Sequence, residues 1–298
     1  MDREGKEEPI AAGPNDYRTL NISPDGTQIA LSIFAGGNQD IHIKDISREN
    51  PSRLTFDVSD EAYPLWTPDG KSIVYVSRRD DGVGLFQKFA DGTGEAKAIG
   101  SLLENLVVPC SWSNDGKILV LLETPGNSIG MLNMEGNKGI ETLLKERRNV
   151  FWPRISPDGQ WMLYASDELG QTDVYVRPFP DVDKGRWLVS TNGGMSPLWS
   201  RDGREIFYWT YDGLMVVSVE AGPTFIPGTP KVQFPRTPVF SGLIGATIIP
   251  YDISPDGDRF LILKPSVMTD IESSWETPQR INIVLNWFEE LKERVPAP

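Results

Sequence analysis

The chain has 298 residues, enough to bury a substantial core without forcing a division into two domains. Its net charge of −13 repels phosphate backbones and anionic lipid headgroups, which excludes nucleic acid and membrane surfaces as partners. With Cys110 as the single cysteine and His42 as the single histidine, an internal disulfide, a thiolate cluster and a multi-histidine metal site are excluded as well.

In chain order, residues 1–6 lack the apolar core of a signal peptide, and no apolar run approaches the roughly 18 residues that suggest a membrane span. The chain therefore reads as soluble. A tetrad then recurs: Ser23-Pro24-Asp25-Gly26, Thr67-Pro68-Asp69-Gly70, Ser113-Asn114-Asp115-Gly116, Ser156-Pro157-Asp158-Gly159, Ser200-Arg201-Asp202-Gly203 and Ser254-Pro255-Asp256-Gly257. The spacings between its aspartates are 44, 46, 43, 44 and 54 residues. A period in this range is the mark of a propeller or a solenoid. An apolar stretch precedes each tetrad and an apolar alternation follows it, as in Lys71-Ser72-Ile73-Val74-Tyr75-Val76, so the tetrad reads as a hairpin turn. Proline presets φ, aspartate accepts backbone N–H groups, and glycine supplies the left-handed residue that closes the turn. Six equivalent acids spread around a repeat cannot share one active site, which makes them structural.

Third strands are expected at Asp40-Ile41-His42-Ile43, Gly84-Leu85-Phe86, Asp173-Val174-Tyr175-Val176 and Gly213-Leu214-Met215, and fourth strands at Ala96-Lys97-Ala98-Ile99 and Arg186-Trp187-Leu188-Val189. The repeat predicts an all-β fold: a six-bladed β-propeller of four-stranded antiparallel blades, its ring closed by an N-terminal strand at 6–11 joining the last blade. It forms a single domain over 1–298, with blades at 15–57, 58–101, 102–145, 146–190, 191–235 and 236–298 plus 1–14. The 54-residue spacing marks an insertion at 236–249, apolar for an exposed loop and read as a channel plug or a contact patch. Residues 265–278 are expected beside it, and 286–295 as a short amphipathic helix or turn on the last blade.

The pattern Trp-Ser/Thr-Pro-Asp-Gly, alternating strand, then Asp-Ile/Val-Tyr-Val resembles the TolB-like propeller repeats over nearly the whole chain. Residues 203–228 and the ending Ile281-Asn282-Ile283-Val284-Leu285-Asn286-Trp287-Phe288 are similar to propeller regions of bacterial Ser/Thr kinases and winged-helix regulators. The resemblance is specific for fold and weak for function.

Catalytic signals are thin. Gly126-Asn127-Ser128-Ile129-Gly130 matches a hydrolase elbow, but that elbow joins a strand to a helix and this one sits between two β patterns. His42 falls in the slot filled by Phe86, Tyr175 and Met215, a packed position. No residue is assigned a catalytic role and no cofactor or metal ligand is assigned; carboxylates at Asp252, Asp80 with Asp81, and Asp167 with Glu168 leave calcium as the one ion to consider.

A binding site belongs at the channel, on the face shared by the loops that lead into each innermost strand and the turns between second and third strands. Four residues before each tetrad aspartate stand Asn21, Leu65, Ser111, Arg154, Leu198 and Asp252. Arg154 and Asp252 are the candidate channel-facing pair, joined by Asn21 and by Tyr63, Trp152 and Tyr251; Tyr17, Met195, Trp209 and Tyr211 stand around them. An ion pair or water-bridged network that holds blades together explains the same residues equally well. Two readings of function stand: a non-catalytic recognition or scaffold propeller, monomeric, binding a protein, peptide or small ligand, as a sensor region of a larger bacterial signalling protein and then extracytoplasmic; or a carboxylate-based hydrolase or lyase acting on a saccharide or small molecule at the channel mouth.

Overall fold

The computed structural model describes residues 1–10, 15–80, 82–103, 105–136, 139–220, 222, 224–235 and 251–263. Its strands form antiparallel sheets, each built from one repeat. The first blade is β1 (Asp16–Ile22), β2 (Gln28–Ala35), β3 (Asn38–Asp45) and β4 (Ser52–Arg53). The second is β5 (Asp60–Trp66), β6 (Ser72–Arg79), β7 (Gly82–Phe89) and β8 (Lys97–Leu103). The third is β9 (Val107–Trp112), β10 (Ile118–Glu123), β11 (Ser128–Asn133) and β12 (Ile140–Lys145). The fourth is β13 (Val150–Ile155), β14 (Trp161–Ser166), β15 (Asp173–Pro178) and β16 (Trp187–Leu188). In the fifth, β17 (Met195–Trp199), β18 (Glu205–Trp209) and β19 (Gly213–Glu220) are followed by β20 (Ile226–Pro227) and β21 (Lys231–Pro235), which both pair with β19. The second strand of each blade carries neighbours on both sheet faces, so it is apolar almost without interruption: every residue of β14 is buried. The core is accordingly divided among the seams between adjacent sheets, such as the cluster of Ala30, Ile41, Trp66, Ile73, Tyr75 and Phe86 between the first and second blades. Among the described residues the one helical segment is a 3₁₀ turn at Val182–Lys184, and no helix is long and apolar enough to cross a membrane.

The expected six-bladed ring is corrected to five. Among the described residues the sixth tetrad lies in a hairpin of two strands, β22 (Tyr251–Ile253) and β23 (Phe260–Ile262), and not in a four-stranded blade. Residues 280–285, expected to extend it, lie outside the described residues, as do 236–249, 265–278 and 286–295. Residues 6–10 lie in no strand and so do not supply its outer strand either, and residue 11 lies outside the described residues. Contact with the hairpin is made instead by Met1 and Asp2, through an isolated bridge from Asp2 to Arg259 and reciprocal backbone bonds between Met1 and Phe260. The chain turns away at once because the Asp2 carboxylate accepts the N–H groups of Glu4 and Lys6, at 3.1 and 2.8 Å. Arg3 reinforces the contact: it donates to the Gly257 carbonyl and forks onto Glu205 of the fifth blade at 2.6 and 3.2 Å. The hairpin packs on the fifth blade through Phe207, Phe234 and Phe260, and on the first through Leu261 and Leu263.

Every tetrad folds alike. The Ser or Thr hydroxyl donates to the aspartate Oδ1, the glycine N–H closes onto the first residue's carbonyl at 2.8 to 3.0 Å, and the Asp Oδ1 accepts the N–H two residues on. The Ser or Thr hydroxyls, followed by backbone N–H groups, hold Asp25, Asp69, Asp115 and Asp202 below the usual aspartate range. The turns also touch in succession, because the tetrad glycine faces the second tetrad residue of the preceding repeat: Gly70 faces Pro24, Gly116 faces Pro68, Gly203 faces Pro157, and Gly26 faces Pro255. At Gly26 φ is +74° and an added Cβ would lie 2.8 Å from Pro255. Gly26→Ala is therefore expected to destabilise by about 2–3 kcal/mol, combining left-handed strain with the clash. Gly36→Ala, at φ +63° with open space around it, should lose only the strain. Urea denaturation of the two variants separates the two contributions.

Candidate functional site

The innermost strands meet at a waist formed by the residues four before each tetrad aspartate. Asp252 Oδ2 accepts Asn21 Nδ2 at 2.9 Å and the Ile22 N–H at 2.8 Å, while its Oδ1 accepts the Ile253 N–H at 2.8 Å. Asn21 repeats the device one blade on: its Oδ1 accepts the Trp66 N–H at 2.9 Å and its carbonyl accepts Trp66 Nε1 at 3.1 Å. Ser111 Oγ accepts the Ile155 N–H at 3.0 Å, and the Arg154 carbonyl accepts Trp199 Nε1 at 3.3 Å. Arg154 Nη1 donates to the Cys110 carbonyl. The Asp252, Asn21 and Ser111 side chains thus serve backbone amides of the next sheet that would otherwise be stranded in the channel wall, whereas the Arg154 side chain reaches back to the preceding one.

Two cavities share Asn21, Leu65, Cys110 and Arg154 at this waist. The wider, about 330 Å³, opens on the turn side between Pro24, Pro68, Asn114, Pro157 and Arg201, and is walled by Trp66, Trp112, Trp199 and Asp252. The narrower, about 50 Å³, faces the loop side and is lined by Thr19, Tyr63, Pro109 and Trp152, each six residues before its tetrad aspartate. Pairing of the innermost strands skips residues at this level in all five blades. Tyr63, Trp152 and Ser196 take φ of +56°, +51° and +49° there. Bulges of this kind re-aim a side chain, here toward the channel.

The candidate residues separate. Arg154, Asn21 and Asp252 line the wider cavity together, but Arg154 and Asp252 form no ion pair among the described residues, each being tied to a different neighbour. Tyr63 and Trp152 belong to the narrower cavity, where Trp152 packs on Phe151 at 5.2 Å. Tyr251 lines neither: at 1% exposure its hydroxyl donates to the Ser196 carbonyl at 2.8 Å and its ring packs edge-on against Trp209. Tyr17 and Trp209 are likewise buried, whereas Tyr211 is exposed. Sequence reasoning favoured the loop side and missed the wider turn-side mouth with its tryptophans. The signal was a Trp three residues before the aspartate in three of the six repeats.

Other chemical candidates are structural in these surroundings. Ser128 opens β11 in a β-hairpin with no helix after it. His42 is half-buried, its Nδ1 3.3 Å from the Asp40 carbonyl, and burial pushes its pKa down. Burial raises the Cys110 thiol to about 11, which keeps it protonated and unreactive. Asp167 accepts the Asn149 backbone and side-chain N–H groups, and Glu168 pairs with Arg186. Among the described residues no three His, Cys, Asp or Glu side chains come together to ligate a metal ion.

The sequence matches the TolB beta propeller domain (PD40) over residues 5–177. It is similar to an uncharacterised protein of Agrobacterium fabrum, at 26% identity over 212 residues covering 66% of this chain and 70% of that protein. Among solved structures it is similar to a TolB-like protein from Agrobacterium tumefaciens, with TM-score 0.61 and 18% identity over 82% of this chain and 88% of the other. It is also similar to an oligogalacturonate lyase in complex with manganese, with TM-score 0.56 and 12% identity over 84% and 86% of the two chains. At such identities the structural likeness speaks for the fold alone. The expected resemblance of the C-terminal part to kinase and winged-helix propeller regions is not confirmed by these likenesses, and residues 281–291 lie outside the described residues.

Proposed function

Because the chain belongs to the TolB beta propeller domain family, we propose that it is a recognition module that takes a peptide segment or small ligand into the turn-side mouth of its channel. The observation that carries this reading is the 330 Å³ cavity with Arg154, Asn21 and Asp252 at its floor and three tryptophans in its wall. Such a space is too small for a folded partner and fits a few side chains of an extended segment, with apolar walls for affinity and a few fixed polar groups for orientation. In a longer signalling chain the same mouth is the sensing surface, and the parent reading frame tests that extension. Selection of a displayed random-peptide library on the full chain should enrich binders whose affinity falls at least about tenfold in Arg154→Ala and Trp112→Ala, with unfolding temperatures retained. Enriched peptides that bind both variants like the parent would sink the reading.

The fold likeness to an oligogalacturonate lyase supports a second reading, saccharide cleavage at the same mouth. It expects turnover of acidic oligosaccharides, with and without added manganese or calcium, that disappears in Asp252→Asn while the fold persists. Absence of turnover across that panel removes it.

A further inference from the structure

A second cluster lies away from the channel, in the seam between the first and second blades. Glu61, on β5, is 1% exposed and Asp40, on β3, is 4% exposed. Each has one carboxylate oxygen, Glu61 Oε2 and Asp40 Oδ1, that solvent does not reach and that has no hydrogen-bond partner. The surrounding charges are already committed. Arg53 on β4 pairs with the other Asp40 oxygen at 2.7 Å, and Arg79 on β6 faces Asp57 at 3.4 Å. Asp60 accepts the Gln39 N–H, and Tyr75 on β6 feels the Glu61 charge without neutralising it. The Thr55 hydroxyl accepts the Ile41 N–H at 2.9 Å and supplies Glu61 with a single side-chain hydrogen bond. Asp40 and Asp57 thus take the two guanidiniums, Asp60 takes a backbone N–H, and Glu61 is the carboxyl left without an ion-pair partner.

A metal ion does not resolve the imbalance, because neither orphan oxygen has room beside it for a water-sized group and no third ligand is present among the described residues. A proton needs no such room. We propose that Glu61 is held as the neutral acid in the closed seam and that its ionisation loosens the contact between the first and second blades, making this seam pH-sensitive. Burial, followed by the charges of Asp40 and Asp57, raises the carboxyl from 4.5 to about 7 against the opposing pull of Thr55 and Arg79. The native seam keeps a proton that the unfolded chain has already lost. Stability is therefore fully present below about pH 4.5 and is withdrawn as pH climbs through about 7. The device is independent of any ligand in the channel.

The experiment uses the full chain with ¹³C-labelled glutamate carboxyls, together with amide exchange of Ile41, Leu54 and Thr55, whose backbone bonds cross between β3 and the segment after it. The Glu61 carboxyl should titrate at least about one unit above the exposed glutamates. Exchange at the three amides, corrected for its intrinsic pH dependence, should rise at least about tenfold between pH 5.5 and 8.5. In Glu61→Gln that rise should vanish, while exchange in the seam between the fourth and fifth blades stays the same in both proteins. Asp40→Asn should shift the Glu61 midpoint downward. Titration of Glu61 with the exposed glutamates, or parallel exchange profiles for parent and Glu61→Gln, overturns the proposal.

Discussion

Phe260→Ala is expected to lower stability by about 3–5 kcal/mol, the range for emptying a fully buried aromatic site. The Phe260 ring is 0% exposed and meets Phe207 and Phe234 edge-on at 5.1 and 5.6 Å. Its backbone also carries both bonds to Met1. A blade of four strands has partners to spread such a loss, whereas β23 is the outer described strand of a two-stranded sheet. Equilibrium denaturation should show the drop. Amide exchange should place the first loss of protection at β22, β23 and Asp2 rather than in the second or third blade. A cost below about 1 kcal/mol would mean that the hairpin is not what joins the fifth blade to the first.

Asp252→Ala should cost about 2–3 kcal/mol, because it leaves the N–H groups of Ile22 and Ile253 and the Asn21 amide without their acceptor in the channel wall. Asp252→Asn should recover no more than about half of that. An amide keeps one oxygen but turns an NH₂ toward donors that were served by the second carboxylate oxygen. The comparison separates structure from recognition. If Asn and Ala both keep the fold by thermal denaturation and lose peptide binding alike, the carboxylate charge acts on the ligand. If binding follows stability, the residue acts by positioning Asn21 and the first strand.

Much of this architecture was legible in the sequence because one physical requirement repeats. A tight turn needs a left-handed glycine and an internal acceptor, and Ser23-Pro24-Asp25-Gly26 and its five counterparts advertise both. Blade count was not legible, since a tetrad demands only the two strands flanking it: Ser254-Pro255-Asp256-Gly257 makes its turn in a hairpin without becoming a blade. The closing contact was misplaced for a similar reason. Residues 6–11 are expected in the last blade because its repeat shows no fourth strand, but the Asp2 carboxylate captures the amides of Glu4 and Lys6 and bends the chain as it enters that segment. At the site, the polar residues Asn21, Arg154 and Asp252 were found because charge and amide groups in an otherwise apolar strand are conspicuous. The bulges that put Tyr63 and Trp152 into the channel were invisible, because they arise from pairing register and leave no composition signal. Tyr251 was drawn toward the channel by its sequence position beside Asp252, yet successive residues on a strand point to opposite faces, and its hydroxyl found carbonyls in the seam.

The joints around the waist are unequal. Asp252, Asn21, Ser111 and the Arg154 carbonyl each bind the following sheet, but among the described residues no hydrogen bond runs from Leu65 to the third blade, and Trp112 Nε1 is left unserved where Trp66 and Trp199 each reach a carbonyl. Without such a tie, the approach of the second blade to the third at this level rests on side-chain packing around Leu65, Val107 and Trp112.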